Sequence, residues 1–217
     1  KVVTASANVE EYLSGNKNAF SLEHIFNSSR FRVVLGRKIK CWSTHANGKH
    51  SNENLAAALN NSCNPVFVDI ALALGKDKMY EYIEKYNFGA VSGVDINGEA
   101  IGMLIPKGAV TDGDLARIGF GQTIAVTQLQ LAAAVSAAVS GGVYYQPYLL
   151  DEILNENQTL SKNVPVKKAR VISEKASQIM ASYLEGVVKD GSGKQAYIEG
   201  YKVGGKTGTA QKYENGV

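Results

Sequence analysis

A mixed α+β fold, rich in helix and sparing in strand, is what this sequence predicts, and two observations carry the prediction. Long stretches have helical periodicity or helix-ending signals: 1–13, 52–61, 66–74, 76–86, 128–140 and 174–189. Strand candidates are few and short and adjoin glycine or proline: Phe31 to Leu35, Arg37 to Lys40, Tyr144 to Leu154 and Gly200 to Val203. The chain has 217 residues, 45% apolar and 20% charged, enough for one domain with a sizeable core. Its net charge of +3 is interspersed, and no basic stripe with interleaved aromatics appears, so nucleic acid is not an expected partner. The longest mostly apolar run, Leu129 to Val139, is too short to span a bilayer. Its 2 cysteines define no disulfide framework and leave the compartment open.

Taken in order, Lys1 to Leu13 is apolar nearly all round (Val2, Val3, Ala5, Ala7, Val9), as expected of a helix buried in a core. Ser14-Gly15-Asn16 ends it. Phe31 to Leu35 and Arg37 to Lys40 read as two strands turning at Gly36. A polar loop follows Cys41-Trp42 and holds His45, Asn47, Gly48, Lys49 and His50. Ser51 is the expected N-cap of a helix from Asn52 to Asn61. Ser62-Cys63-Asn64 stands at that helix's C-terminal end, and Pro65 suits the first turn of the next. That helix is expected to stop at Gly75, with another from Lys76 to Tyr86. Residues 86–122 read as loop-like landmarks. Thr127 caps an Ala-rich helix expected to be apolar all round and buried. Asn155 to Lys168 reads as a polar surface excursion. Ser173 caps a helix to Lys189, with Ile179, Met180, Tyr183, Leu184 and Val187 facing inward.

Gly200-Tyr201-Lys202-Val203 reads as a strand leading into Gly204-Gly205-Lys206-Thr207-Gly208-Thr209-Ala210-Gln211. Glycines let another backbone or a ligand approach closely. Lys206 supplies a fixed positive charge, Thr207 and Thr209 supply hydroxyls, and Gly208 keeps the surface open. Such a strand edge suits an extended acyl substrate with a carboxylate to pair. Alone, a K-T-G triplet is usually a basic strand end with turn glycines, and an S-x-N at a helix end is usually a cap.

Together, Ser62-Cys63-Asn64 and Lys206-Thr207-Gly208 resemble two of the three motifs of penicillin-binding proteins and serine β-lactamases. The third is S-x-x-K. The opening Lys1-Val2-Val3-Thr4-Ala5-Ser6-Ala7 resembles the segment that follows the nucleophilic serine in class B penicillin-binding proteins. Lys1 is then the lysine of that motif, and the serine is expected three places before it, outside the chain. Two further blocks carry the same likeness. One is Tyr86-Asn87-Phe88-Gly89 with Gly93-Val94-Asp95-Ile96 and Gly98-Glu99. The other is Gly119-Phe120-Gly121-Gln122 with Val126-Thr127-Gln128-Leu129-Gln130-Leu131, where Gln128 stands at a usual proline.

The resemblance implies a serine transpeptidase fold, an antiparallel sheet backed by helices with a helical subdomain, of which 1–217 is part. It implies D,D-transpeptidation of peptidoglycan stem peptides through a serine acyl-enzyme, with β-lactams as mimics of the donor. Lys1 would be the base, Ser62 the proton relay, Asn64 the ligand of the substrate amide, and Lys206 a positive charge that helps keep Lys1 neutral. Thr207, Gly208 and Thr209 would receive the substrate. The expected setting is the outer face of a bacterial cytoplasmic membrane, with a membrane-embedded glycosyltransferase and division or sporulation proteins as partners. The chain by itself is expected to be inactive and poorly stable. Alternatives are a β-lactamase or β-lactam sensor of the same fold, and a non-catalytic division or sporulation scaffold.

No cofactor is required for this chemistry. Cys41, His45, His50 and Cys63 nevertheless raise a metal question, since two thiols and an imidazole suit tetrahedral zinc. The resemblance adds that some clostridial-type relatives carry zinc here, which makes Cys41, His50 and Cys63 the candidate ligands. The plainer alternative is a buried cysteine in a helix beside solvated loop histidines.

Overall fold

The computed structural model describes residues 1–27, 29–43, 50, 52–156 and 158–209. Helix α1 (Val2–Leu13) is its axis, with α3 (Asn64–Lys85), α5 (Gln128–Val139) and α6 (Glu174–Lys189) packed around it. Helix α2 (Leu55–Asn61) lies on α6, and α4 (Asp112–Phe120) lies on α3. The strands form separate antiparallel pairs: β1 (Phe31–Val34) with β2 (Arg37–Lys40), β3 (Val143–Tyr145) with β6 (Lys167–Arg170), and β4 (Glu152–Asn155) with β5 (Gln158–Lys162). The α+β class and the antiparallel pairing are as expected. The backing sheet is not assembled among the described residues.

Helix α1 is buried over Thr4 to Val9 and again at Glu11, as its sequence foretells, but it carries polar groups that must be satisfied there. Thr4 donates to the Gly119 carbonyl at 2.7 Å. The Tyr86 hydroxyl donates to Ser6 at 2.8 Å. Asn8 pairs both ways with the backbone of Phe20, and the Tyr82 hydroxyl donates to Glu11 at 2.8 Å. These bonds reach three different segments, so one helix ties α3, α4 and the 16–26 loop together. At the α3–α4 crossing a side chain on Gly119 would meet Ala71 and the Phe67 carbonyl at 2.5 Å, so only glycine allows that approach.

Several boundaries differ from expectation. Helix α2 starts three residues later, at Leu55, because Asn54 accepts from the Ala57 amide as its cap; Ser51 lies outside the described residues. The two expected helices after Ser62 run as α3, broken at Gly75 (φ 78°, ψ 167°) but resuming directly. Helix α4 was not anticipated; a Thr111–Asp114 capping box starts it. Helix α5 is not buried all round: Leu131 is 51% exposed, and the buried residues are Gln130, Ala134, Ala137 and Ala138. The polar excursion is real, with every described residue of β4 and β5 exposed. Residues 200–203 form no strand, since an extended segment needs a neighbouring ladder to become one.

Candidate active site

Lys1 stands at the N-terminal end of α1, and its side chain turns into the protein. Nζ donates to the Phe120 carbonyl at the end of α4, at 3.1 Å. The ammonium lies 5.7 Å from the centre of the Phe67 ring and 5.6 Å from that of Phe120. Burial among these groups pulls its pKa down to about 8, partly offset by the nearby Cys41 and Cys63 thiols. Lys206 is likewise pulled down to about 8, by burial first and then by the Lys1 charge. The effect of Lys1 on Lys206, and of Cys41 and Cys63 on Lys1, places these groups in one neighbourhood, although the two lysines are 205 positions apart in the sequence.

Ser62-Cys63-Asn64 is the turn between α2 and α3. Ser62 ends α2 in the left-handed region (φ 57°, ψ 39°), Cys63 is the N-cap of α3, and Asn64 opens that helix. Asn64 donates to the Lys40 carbonyl at 3.3 Å, bringing the end of β2 to the turn. Ser62 and Asn64 are half-buried, while Cys63 is buried.

The segment carrying Lys206 lies along α6. The Gly205 amide donates to the Leu184 carbonyl at 3.0 Å. A side chain on Gly204 would sit 3.3 Å from the α6 backbone, so this glycine does permit a close backbone approach, as its sequence suggests. Lys206 donates to the Thr207 hydroxyl at 3.0 Å, and that hydroxyl lies 3.3 Å from Ser192. The Ser192 amide in turn donates to the Asn60 carbonyl of α2 at 2.8 Å. Gly208 opens on free space and Thr209 is exposed. Ala210 and Gln211 lie outside the described residues.

Within the chain, Ser14 and Lys17 also have S-x-x-K spacing. Both are exposed beyond the C-terminal end of α1, roughly 18 Å of helix rise from Lys1, so they take no part in this neighbourhood.

Beneath the turn, one ligand atom each from Cys41, His50 and Cys63 lies within 4.8 Å of the others, and all three residues are buried. Cys41 Sγ and His50 Nδ1 are 3.6 Å apart. The Cys63 thiol is pushed well above its ordinary pKa by its hydrogen bond with Cys41, by burial and by the Glu53 carboxylate. His45 lies outside the described residues. Sequence reasoning missed Glu53, whose carboxylate lies beside the Cys63 thiol, and the Phe120 carbonyl that holds Lys1. It also missed Ser192. The Gly119-Phe120-Gly121-Gln122 block named the segment but not the role of its carbonyl, and no sequence signal marked the others.

The family model described as penicillin binding protein transpeptidase domain matches residues 2–217. The chain is 39% identical to Stage V sporulation protein D of Bacillus subtilis, over 100% of this chain and 32% of that protein. It is 28% identical to peptidoglycan D,D-transpeptidase FtsI of Escherichia coli, over 76% of this chain and 26% of that protein. The chain thus spans about a quarter to a third of these relatives. Among solved structures, penicillin binding protein 3 of Mycobacterium tuberculosis complexed with aztreonam superposes with a TM-score of 0.86. It is 23% identical, and the match covers 99% of this chain and 48% of that one. A D,D-transpeptidase domain from Eggerthella lenta matches with a TM-score of 0.82 at 25% identity, over 99% and 53% of the two chains. With a family model spanning nearly every residue and motif-bearing segments folded into one neighbourhood, the chain belongs to the penicillin binding protein transpeptidase domain family.

Proposed function

We propose that this chain is the helical portion and motif-bearing segment of a peptidoglycan D,D-transpeptidase that works through a serine acyl-enzyme and is acylated by β-lactams. The observation that carries this reading is the pair of half-buried lysines, Lys1 and Lys206. A lysine with a pKa of about 8 is about one-tenth neutral at pH 7, against roughly one part in three thousand for an ordinary lysine. Lys1 is thereby suited to act as a general base.

In this reading the nucleophile is a serine three residues ahead of Lys1 in the parent protein. Neutral Lys1 takes the serine proton as its oxygen attacks the penultimate D-alanine carbonyl of the donor peptide. The C–N bond breaks, Ser62 passes a proton to the departing D-alanine amine, and an ester remains. An acceptor amine then attacks the ester and regenerates the serine. Asn64 orients the donor amide. Lys206 keeps the local potential positive, which favours neutral Lys1 and attracts the donor carboxylate. Thr207 and Thr209 bind that carboxylate, and Gly208 leaves room for it. The setting proposed is the outer face of the cytoplasmic membrane, beside a membrane-embedded glycosyltransferase and division or sporulation proteins; no helix among the described residues is long and apolar enough to cross a membrane.

The test is intact mass after incubating the full-length protein with a penicillin. One adduct on the serine three residues before Lys1, lost on its change to alanine, is expected. No adduct on well-folded protein would reject the enzyme and favour the scaffold reading, and rapid release of hydrolysed drug would favour a β-lactamase.

A second reading concerns zinc, and the geometry of Cys41, His50 and Cys63 favours it. Zinc bonds of about 2.3 Å to sulfur and about 2.0 Å to nitrogen give a tetrahedral S···N edge of about 3.5 Å, close to the Cys41–His50 separation of 3.6 Å. The Glu53 carboxylate beside Cys63 adds negative charge that a cation would offset. We propose that these three residues hold a structural zinc ion, which would clamp the loop after β2 to the α2–α3 turn and take no part in the acyl transfer. Stoichiometric zinc in purified protein, lost in Cys63→Ser, is expected; substoichiometric metal would remove the idea.

A further inference from the structure

Trp42 is the 1 tryptophan of the chain, and it is 66% exposed. So large an apolar surface does not stay ordered at the surface unless something holds it. Two contacts do. The indole Nε1 donates to the Asn61 carbonyl at 3.0 Å. The ring meets His50 edge to face, with centroids 5.7 Å apart.

The first contact falls at a sensitive place. Asn61 is the last residue of α2, so its carbonyl is among those a helix end leaves without an intrahelical partner. The next residue, Ser62, is in the left-handed region, which a residue with a Cβ enters only at a cost. A strained turn persists when its surroundings over-determine it. On the buried side, Cys63 is gathered with Cys41 and His50. On the exposed side, Trp42 caps the carbonyl that precedes Ser62. Cys41 and Trp42 are consecutive, so one short strap at the end of β2 grips the turn from both sides.

We propose that Trp42 is a positioning residue for Ser62: its indole N–H fixes the left-handed turn on which Ser62 and Asn64 are carried. The inference rests on the transpeptidase reading for its kinetic consequence, but the capping role itself does not. Trp42→Phe keeps an aromatic ring and removes the donor. A tryptophan isostere with sulfur in place of the indole N–H removes the donor alone.

In full-length protein, benzylpenicillin acylation is followed to saturation and amide hydrogen exchange is read at Ser62 and Cys63. Loss of one net hydrogen bond should lower the first-order acylation constant about three- to tenfold. The non-covalent dissociation constant and the melting temperature should hold, while exchange at the two amides quickens. Both variants should behave alike. Unchanged exchange overturns the positioning role whatever the kinetics. Unchanged acylation with faster exchange overturns its bearing on Ser62, and a loss confined to the dissociation constant makes Trp42 a ligand contact instead. If the wild type is never acylated, the transpeptidase reading falls, and exchange alone decides the cap.

Discussion

The two halves of the candidate site are held by different means. Ser62, Cys63 and Asn64 sit where two helices meet, and the body of each helix closes its hydrogen-bond ladder within itself. Lys206 to Thr209 ride on an extended segment that borrows its order from α6 through the Gly205–Leu184 bond and the fit at Gly204. A helix closes its ladder locally, whereas an extended segment depends on a partner. The helical half should therefore be stiff and the lysine-bearing half adjustable. Under the proposed function, that division would let Ser62 be held still while the Lys206 segment adjusts to a donor peptide.

The largest test of this contrast is chemical. Lys206→Ala and Lys1→Ala in the full-length protein should each lower penicillin acylation by roughly 10²- to 10⁴-fold. Lys206→Ala should leave the melting temperature nearly unchanged, since its segment adds little to the core. A large fall in melting temperature for Lys206→Ala would break the contrast, by showing that the extended half is structural.

The pH dependence sharpens it next. Acylation should rise with pH as Lys1 loses its proton near 8, then fall as Lys206 loses its charge in the same region. The profile should be a bell centred close to pH 8. Stability follows with a definite sign. Both lysines have folded pKa values of about 8, below the ordinary lysine value of about 10.4. The unfolded chain therefore binds more protons between these limits, and stability should increase from about pH 8 to about pH 10. Denaturant midpoints measured across that range that fall with pH would contradict the burial of the pair.

Effects on the helical half should be thermodynamic. Gly119→Ala forces a Cβ against Phe67 and Ala71 at the α3–α4 crossing and should cost about 1–3 kcal/mol. That is a melting-temperature drop of roughly 2–9 °C for a chain of this size. The smallest effect expected is for Ser173→Ala. It removes the cap on the Ala176 amide and the bond to Glu10, for about 1 kcal/mol. Calorimetry on the two variants should rank them in that order.

How much of this was legible in the sequence varies by region, for physical reasons. Helices α1, α5 and α6 were readable because periodicity and caps are local. The polar interior of α1 was not, since Ser6, Asn8 and Glu11 find their partners in segments up to 80 residues away. Helix α4 was hidden by glycines at 113 and 119, although its Thr111–Asp114 box was present. Both Ser51 and Asn54 are good caps, and only the fold chooses Asn54. The expected strand at 200–203 had the right pattern but strand character is a property of a pair. In the site, Ser62, Asn64, Lys206 and the Cys41–His50–Cys63 group could be named in advance because their motifs resemble those of a known family; their spacing alone supports only a polar cleft. Glu53, Ser192 and the Phe120 carbonyl could not, because nothing about a glutamate, a serine or a main-chain oxygen announces where it will point.

The hairpin of β4 and β5 offers a practical handle. Its described side chains all face solvent, and no catalytic motif lies within it. Exposed turns of this kind accept inserted sequence with little effect on a core. A dye or affinity tag carried there would let the protein be followed, or fixed to a surface in one orientation, without touching Ser62, Asn64 or Lys206.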